Sequence, residues 1–393
     1  MPEAFIVAAA RTAGGRRNGR LSGWHPADLA AQVLNALVDR THADPALVED
    51  VIMGCVGQVG EQAMNVARNA VLASKLPESV PATSVDRQCG SSQQAIHFAA
   101  QAVMSGAMDV VIAAGVESMT RVPMGTPTVL PFKNGLGTYM SPLISQRYPG
   151  VDQFSQFTGA EMMAKKYGLE KARLDAYALQ SHQRAAAAAR AGLFANEIVP
   201  VKARMNDGTE PGDLHSADEG IRYDATLEGI ASVKLIAEGG RCTAATASQI
   251  CDGASGVMVV NERGLKALGV QPLARIHHMS VLGHDPVIML EAPLPATQRA
   301  LHKAGMKIGD IDLYEVNEAF APVPLAWLQA LDADPERLNV NGGAIALGHP
   351  LGGSGTKLMT TLVNALHQRG KRYGLQTMCE GGGMANVTII ERL

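Results

Sequence analysis

The sequence predicts an α/β protein, a layered α/β/α/β/α body built from two similar βαβ halves with a separate segment inserted between them. Three observations lead there. Short apolar runs alternate with helix-periodic stretches, the order of these elements repeats between the halves, and residues 121–245 break the pattern.

The first apolar run, Ala4 to Ala10, reads as a strand. It is too short to span a membrane and no basic segment precedes it. Leu29, Val33, Leu34, Leu37 and Val38 then share one helical face, and an acidic loop leads into the apolar strand Val51 to Val56. Thr83 to Gln88 is strand-like, and Cys89-Gly90-Ser91-Ser92 turns. Ala95, Ile96, Ala99, Ala102 and Val103 mark a helix that Gly106 ends, and Asp109 to Ala114 forms the next strand. The second half repeats these units. The helix Ala296–Ala304 passes through Gly305 and Asp310 into the strand Ile311 to Val316. From Leu338 the chain runs through Gly342-Gly343 and a glycine-rich turn into a helix faced by Leu358, Met359, Leu362, Val363 and Leu366. Gly370 closes it and Leu375 to Met378 is a strand. Such alternation predicts parallel sheets covered on both faces, related by a pseudo-twofold axis, with a site at the strand ends where the halves meet.

Between the halves lie a Pro/Gly-rich stretch from Pro123 to Pro149, helices around Glu161–Tyr167 and Leu174–Ala191, and a polar segment from Met205 to Asp224. An insertion of this kind is expected to form a loop domain covering a site. The predicted division is therefore 1–120 for the N-terminal half, 121–245 for the loop domain, 246–272 for a return segment completing the first half, and 273–393 for the C-terminal half.

Composition narrows the function. Of 393 residues, 47% are hydrophobic and 18% charged, and the net charge is −3, which fits a compact enzyme with a large core. No basic stripe carries interleaved aromatics, so nucleic acid is not an expected partner, and neither is a membrane. Glu391-Arg392-Leu393 is not a peroxisomal tripeptide, so a cytoplasmic location is expected. Five cysteines at these spacings suggest free thiols rather than disulfides or a zinc site, and His277, His278 and His284 show no metal spacing. The glycine turns match neither a phosphate loop nor a dinucleotide fingerprint.

Chemistry concentrates in three places. Cys89 falls where a strand meets a helix, and the helix N-terminus favours a thiolate there, lowering the thiol pKa from about 8.5. His349, in Gly348-His349-Pro350, is a candidate base for it. Cys379 precedes Gly381-Gly382-Gly383, whose backbone N–H groups suit an oxyanion hole. Asn317, after the strand Ile311–Val316, could hold a water or an oxyanion. Each also has a plainer reading: a buried structural cysteine, a glycine turn, a helix cap. Cys55 reads as core filler, and Cys242 and Cys251 lack a paired base.

Taken together, Cys89 in its turn, Asn317-Glu318-Ala319-Phe320, Asn341 to Pro350, and Cys379 before a glycine triplet resemble the thiolase family, in the family's order and over essentially the whole chain. The resemblance implies the five-layered thiolase fold, a loop domain that binds coenzyme A, and a homodimer or homotetramer. It implies no permanently bound cofactor and no metal, with coenzyme A as substrate. It also implies that His349 activates Cys89, which attacks the keto carbon of a 3-ketoacyl-CoA, and that Cys379 serves as acid and base. The N–H groups of Cys89 and Gly381 would form one oxyanion hole; His349 and a water on Asn317 would form the other. Arg222 and Ser248 fall where the family contacts coenzyme A. The chain departs from biosynthetic acetoacetyl-CoA thiolases at Ser155 to Glu161, which has no histidine, at Met289-Leu290-Glu291-Ala292-Pro293, and at Glu380 and Met384-Ala385-Asn386. These changes flank the expected acyl pocket and look more like the degradative thiolases of fatty-acid and steroid or ring catabolism. Acetoacetyl-CoA synthesis is the alternative main role. A ketosynthase-like condensing enzyme is disfavoured by Cys379, and a non-catalytic acyl-CoA carrier by the intact Cys89, His349 and Cys379.

Overall fold

The computed structural model describes residues 2–393. Five strands form the N-terminal sheet: β1 (Phe5–Arg11), β2 (Asp50–Gly54), β3 (Ala82–Val85), β4 (Val110–Ser118) and β5 (Cys251–Val260), in the order β3-β2-β4-β5-β1. The C-terminal sheet holds β6 (Ala274–Gly283), β7 (Leu313–Val316), β8 (Tyr373–Glu380) and β9 (Met384–Arg392), in the order β7-β8-β9-β6. Leu338 bridges Tyr314 in parallel, in the place that β3 takes beside β2. The internal repeat read from the sequence is thus a repeat of topology. A short antiparallel pairing of Phe5 with Arg275 and Ile6 with Ala274 joins the halves into one sheet.

Both sheets are mixed rather than parallel. Only the pairs β2–β3, β2–β4 and β7–β8 run parallel. β8 and β9 are joined by the tight Gly381–Gly383 turn, which reverses the chain, and β5 and β6 run antiparallel to the strands beside them. Every residue of β1, β4 and β5 is nevertheless buried, because helices cover both faces.

In the N-terminal half, α1 (Pro26–Thr41) packs Leu29, Val33, Leu34 and Leu37 inward, with proline at its first position. Helix α2 (Ser91–Ser105) ends at Gly106, whose φ of 77° is the left-handed conformation glycine tolerates. The inserted segment contributes α3 (Gln156–Lys166) and α4 (Lys171–Arg190), and the C-terminal half α5 (Pro293–Ala304), α6 (Pro322–Leu331) and α7 (Ser354–Gln368). Helices α2 and α7 are counterparts, and they pack on each other between the two sheets: Ile96 and Ala99 share a core with Met359, Leu362, Ile52 and Ile390. Their close approach depends on Gly355, where a Cβ would lie 2.0 Å from the Gln93 nitrogen.

The inserted helices lie on the C-terminal half. Ala160, Met163, Leu174 and Tyr177 share a core with Val316, Phe320 and Trp327, and Ala185 and Ala186 pack against Ala346 and Leu347. The segment is tied to β1 by Arg11, which is fully buried. Its guanidinium donates to both oxygens of Asp218, at 2.8 and 3.0 Å, and to Glu197 at 2.7 Å. Removing one partner of a buried ion pair leaves the other charge uncompensated, at a cost of about 3–5 kcal/mol. Arg11→Met is accordingly expected to lower the urea midpoint by that equivalent; an unchanged midpoint by circular dichroism would contradict it.

Candidate active site

Four strand ends and two helix N-termini converge. Cys89 follows β3 in a tight turn: Gln88 has a φ of 51°, Asp86 accepts its N–H at 2.7 Å, and the Ser91 hydroxyl donates to its carbonyl at 2.5 Å. Gly90 caps α2, so Cys89 stands at the positive end of that helix, half-buried. Cys379 is the penultimate residue of β8, paired with Ala385, rather than part of the glycine turn beyond it. The strand extends two residues past the predicted end at Met378, because β9 pairs with it that far.

The N–H groups of Cys89 and Gly381 both bear on the Cys89 sulfur and favour its thiolate. They do not prevail. Burial, followed by the charge of the Glu380 carboxylate, pushes the Cys89 thiol up to about 12, against the lowering that its helix-terminal position suggests. Burial and then the neighbouring Cys89 hold the Cys379 thiol well above its ordinary range. Both cysteines are therefore thiols at neutral pH, and Cys89 must lose its proton before it can attack.

His349 has the tautomer that a base requires. Its Nδ1 bonds the Ser354 Oγ. The Ser354 hydroxyl has one hydrogen, and it donates that to the Pro350 carbonyl at 2.9 Å, so it must accept from Nδ1–H. Nε2 is left with its lone pair, facing the Asn317 amide nitrogen at 3.4 Å. Burial, then the nearby Lys357 charge, pushes the imidazole down to about 3, so it is neutral and able to take a proton at neutral pH. Lys357 also donates to the carbonyls of Leu347 and Gly348, fixing the backbone just before the ring.

Asn317 stands at the end of β7 and caps no helix; α6 begins at Pro322 behind Ala321. Its side-chain oxygen is buried with no partner, which leaves an acceptor free for a water or a substrate group. Gly381 sits beside Gln88, with the space for a Cβ 2.8 Å from the Gln88 Oε1. Cys55 directly follows β2, in the place that Asn317 takes after β7, and its sulfur lies 4.0 Å from a Glu117 oxygen. Cys242 and Cys251 are buried, and all five cysteines are free. Among the described residues no group of three or more His, Cys, Asp or Glu side chains could hold a metal ion, and no helix is long and apolar enough to cross a membrane.

A cleft of about 360 Å³ opens beside this centre, between the inserted segment and the His349 turn. Arg222, His182, Thr226, Gln249 and Ile345 line it. The Gln249 carbonyl also accepts the backbone N–H of His349 at 3.1 Å, so the cleft adjoins the backbone of the His349 turn. Arg222 is exposed on its wall; Ser248 lies between the lining residues Ala247 and Gln249, with its N–H bonded to Ala319. The sequence singles out neither Ser354, Lys357 nor Glu117, and it marks Glu318 only within the motif Asn317-Glu318-Ala319-Phe320, without a role. The one available signal for Ser354 was its place five residues after His349, one turn beyond the proline.

Comparison with known proteins identifies the family. The family model described as the thiolase N-terminal domain matches residues 4–263, and that of the thiolase C-terminal domain matches residues 270–392. The chain belongs to the thiolase family, a class of acyltransferases. It is 53% identical over 395 residues to the steroid 3-ketoacyl-CoA thiolase FadA6 of Mycobacterium tuberculosis, covering all of this chain and 95% of that one. The 3-ketoacyl-CoA thiolases of Shewanella loihica and Serratia proteamaculans are 42% and 41% identical, with both chains covered in full.

The buried histidines carry a stability consequence. Burial, then Arg87 and His278, pushes His97 down to about 3, while an unfolded histidine titrates near 6.5. Below that value the unfolded chain binds more protons, so the His97 contribution is lost as pH falls from about 6.5 toward 3. The melting temperature of the wild type is expected to drop relative to His97→Gln as pH is lowered from about 6.5 to about 5. A difference between the two that does not vary with pH, by calorimetry, would refute this.

Proposed function

We propose that this chain is a degradative thiolase that cleaves 3-ketoacyl-CoA with free coenzyme A, giving acetyl-CoA and a shortened acyl-CoA, and that it can run in reverse. The observation that carries the reading is the convergence of two thiols, the Gly381 N–H at the Cys89 sulfur, and a neutral His349 whose lone pair is on Nε2. Its relatives' names supply the substrate class.

In the proposed reaction His349 Nε2 takes the Cys89 proton, and the thiolate attacks the 3-keto carbon. The N–H groups of Cys89 and Gly381 receive negative charge on one oxygen, where each such donor is typically worth about 10²–10³ in rate. The bond between the keto carbon and C2 breaks, and its electron pair goes to the acetyl-CoA enolate. The enolate oxygen is held by His349 and a water on Asn317, and the enolate carbon takes the Cys379 proton. Cys379, now a thiolate, deprotonates incoming coenzyme A, whose sulfur displaces the acyl group from Cys89. His349 returns its proton to Cys89 and the cycle closes.

The cleft lined by Arg222 and adjoining Ser248 is the proposed seat of coenzyme A, with residues 121–245 as the domain that binds it. The remaining proposed boundaries are those of the sequence division, and the assembly is a homodimer or homotetramer acting in the cytoplasm.

Cys89→Ser is expected to abolish the covalent acyl adduct seen by intact-protein mass spectrometry. An undiminished adduct would remove Cys89 from this role. Cys379→Ala should still acylate, yet lose about 10²–10⁴-fold in acetoacetyl-CoA cleavage. Near-wild-type turnover in that variant would sink the acid–base assignment.

A further inference from the structure

Glu380 ends β8 immediately after Cys379, with 0% of its surface exposed. A second buried glutamate, Glu117 near the end of β4, stands in the place that Cys379 takes on β8 and is fully engaged. Glu117 accepts from the N–H groups of Val56 and Gly57, each at 2.9 Å, from the Gln62 amide at 2.7 Å, and from the Gly352 N–H at 2.8 Å. Both oxygens of Glu380 are buried without a hydrogen bond of ordinary geometry, and only Arg87 and then the Asn386 N–H favour its charge. The carboxyl fills the space over Gly90, where a Cβ would lie 1.9 Å from its Oε1. It therefore sits directly under the turn that presents Cys89. An ionised carboxylate in such a place is costly unless paired, and Arg87 with the Asn386 N–H offsets only part of that cost.

We propose that Glu380 is a positioning residue for the thiolase reaction: its carboxyl works as the neutral acid, and its ionisation keeps the two site thiols protonated and shuts the reaction off. The inference rests on the thiolase reading and extends it to a residue that makes no contact with the reacting atoms. Burial raises the Glu380 carboxyl to about 8, with Arg87 opposing, so the switch lies just above neutral pH. The charged form raises Cys89 and Cys379 alike. The titratable and charged groups that face it are Arg87 and Cys89 in the turn before α2 and Cys379 on its own strand; His97 on α2 bonds the side chain of Asn386, whose backbone N–H bears on the carboxyl. His97 is held neutral by burial and so does not compensate the charge. Asn386, which it bonds, is uncharged.

The test reads iodoacetamide alkylation of Cys89, by mass spectrometry of its peptide, from about pH 6.5 to about pH 9.5. Glu380→Gln keeps the shape and removes the charge; Glu380→Leu removes the carboxyl and serves if the first variant misfolds. Each variant should match the wild type at the low end. At the high end each should react faster, on the order of tenfold, because one negative charge beside the thiolate is gone. The alkaline decline of kcat/KM for acetoacetyl-CoA cleavage should move upward by about one pH unit in the same variants. A variant-to-wild-type alkylation ratio that stays flat with pH would overturn the proposal. Alkylation needs only the thiol, so the two readings fail separately. A pH-dependent ratio in a protein that cleaves no 3-ketoacyl-CoA overturns the thiolase reading alone, and a flat ratio in an active enzyme overturns the role of Glu380 alone.

Discussion

One buried carboxylate holds the catalytic face together. Glu318, the residue after Asn317, is 1% exposed and accepts four hydrogen bonds: from Tyr177 at 2.8 Å, Ser181 at 2.7 Å, Asn339 at 3.0 Å and the Ile345 N–H at 3.0 Å. The first two donors lie on α4 of the inserted segment, the third just beyond the bridge at Leu338, and the fourth in the turn that carries His349. Burial raises this carboxyl and its four donors oppose the rise. If any of those pieces shifted, a carboxyl in the interior would lose partners, so satisfaction of Glu318 fixes Asn317 and the His349 turn with respect to the inserted segment.

The electrostatics of the site follow from burial more than from pairing. Low dielectric disfavours charge on the thiols and on the imidazole alike, so the resting centre is uncharged: two thiols and a neutral histidine. In the proposed reaction charge appears only transiently, as a thiolate and an imidazolium that arise together. The helix N-terminus and the Gly381 N–H stabilise the first of these where it forms. Ser354 holds the second by accepting from Nδ1.

Much of this was legible in the sequence. The alternating apolar runs and the helix faces of α2 and α7 were evident because each buries one stripe, and the glycines at 106, 348 and 381–383 mark places where a side chain would obstruct a turn or a close approach. Strand direction was not legible, because an apolar run of eight residues reads the same in either sense; β5 and β9 run antiparallel for reasons of connection, not composition. The thiol pKa was misjudged for a related reason. The helix terminus is local and visible, whereas the burial and the Glu380 carboxyl that outweigh it are brought to Cys89 from the far end of the chain. The network of Arg11, Glu197 and Asp218 was equally hidden, since sequence distance conceals which charges meet.

The order of strands in the first sheet has a consequence for how the chain is made. β1 has two strand neighbours, β5 and β6, and both lie beyond residue 250; before them only Ile198 bridges its last residue, Arg11. At ribosomal rates of about 5–20 residues per second, β1 waits roughly 10–50 s for these strands. Throughout that interval Phe5 to Ala10 is an unpaired apolar edge, the kind of surface that recruits other chains. The N-terminal half therefore cannot close as an independent unit during synthesis, and it becomes complete only after the entire inserted segment has been threaded past it.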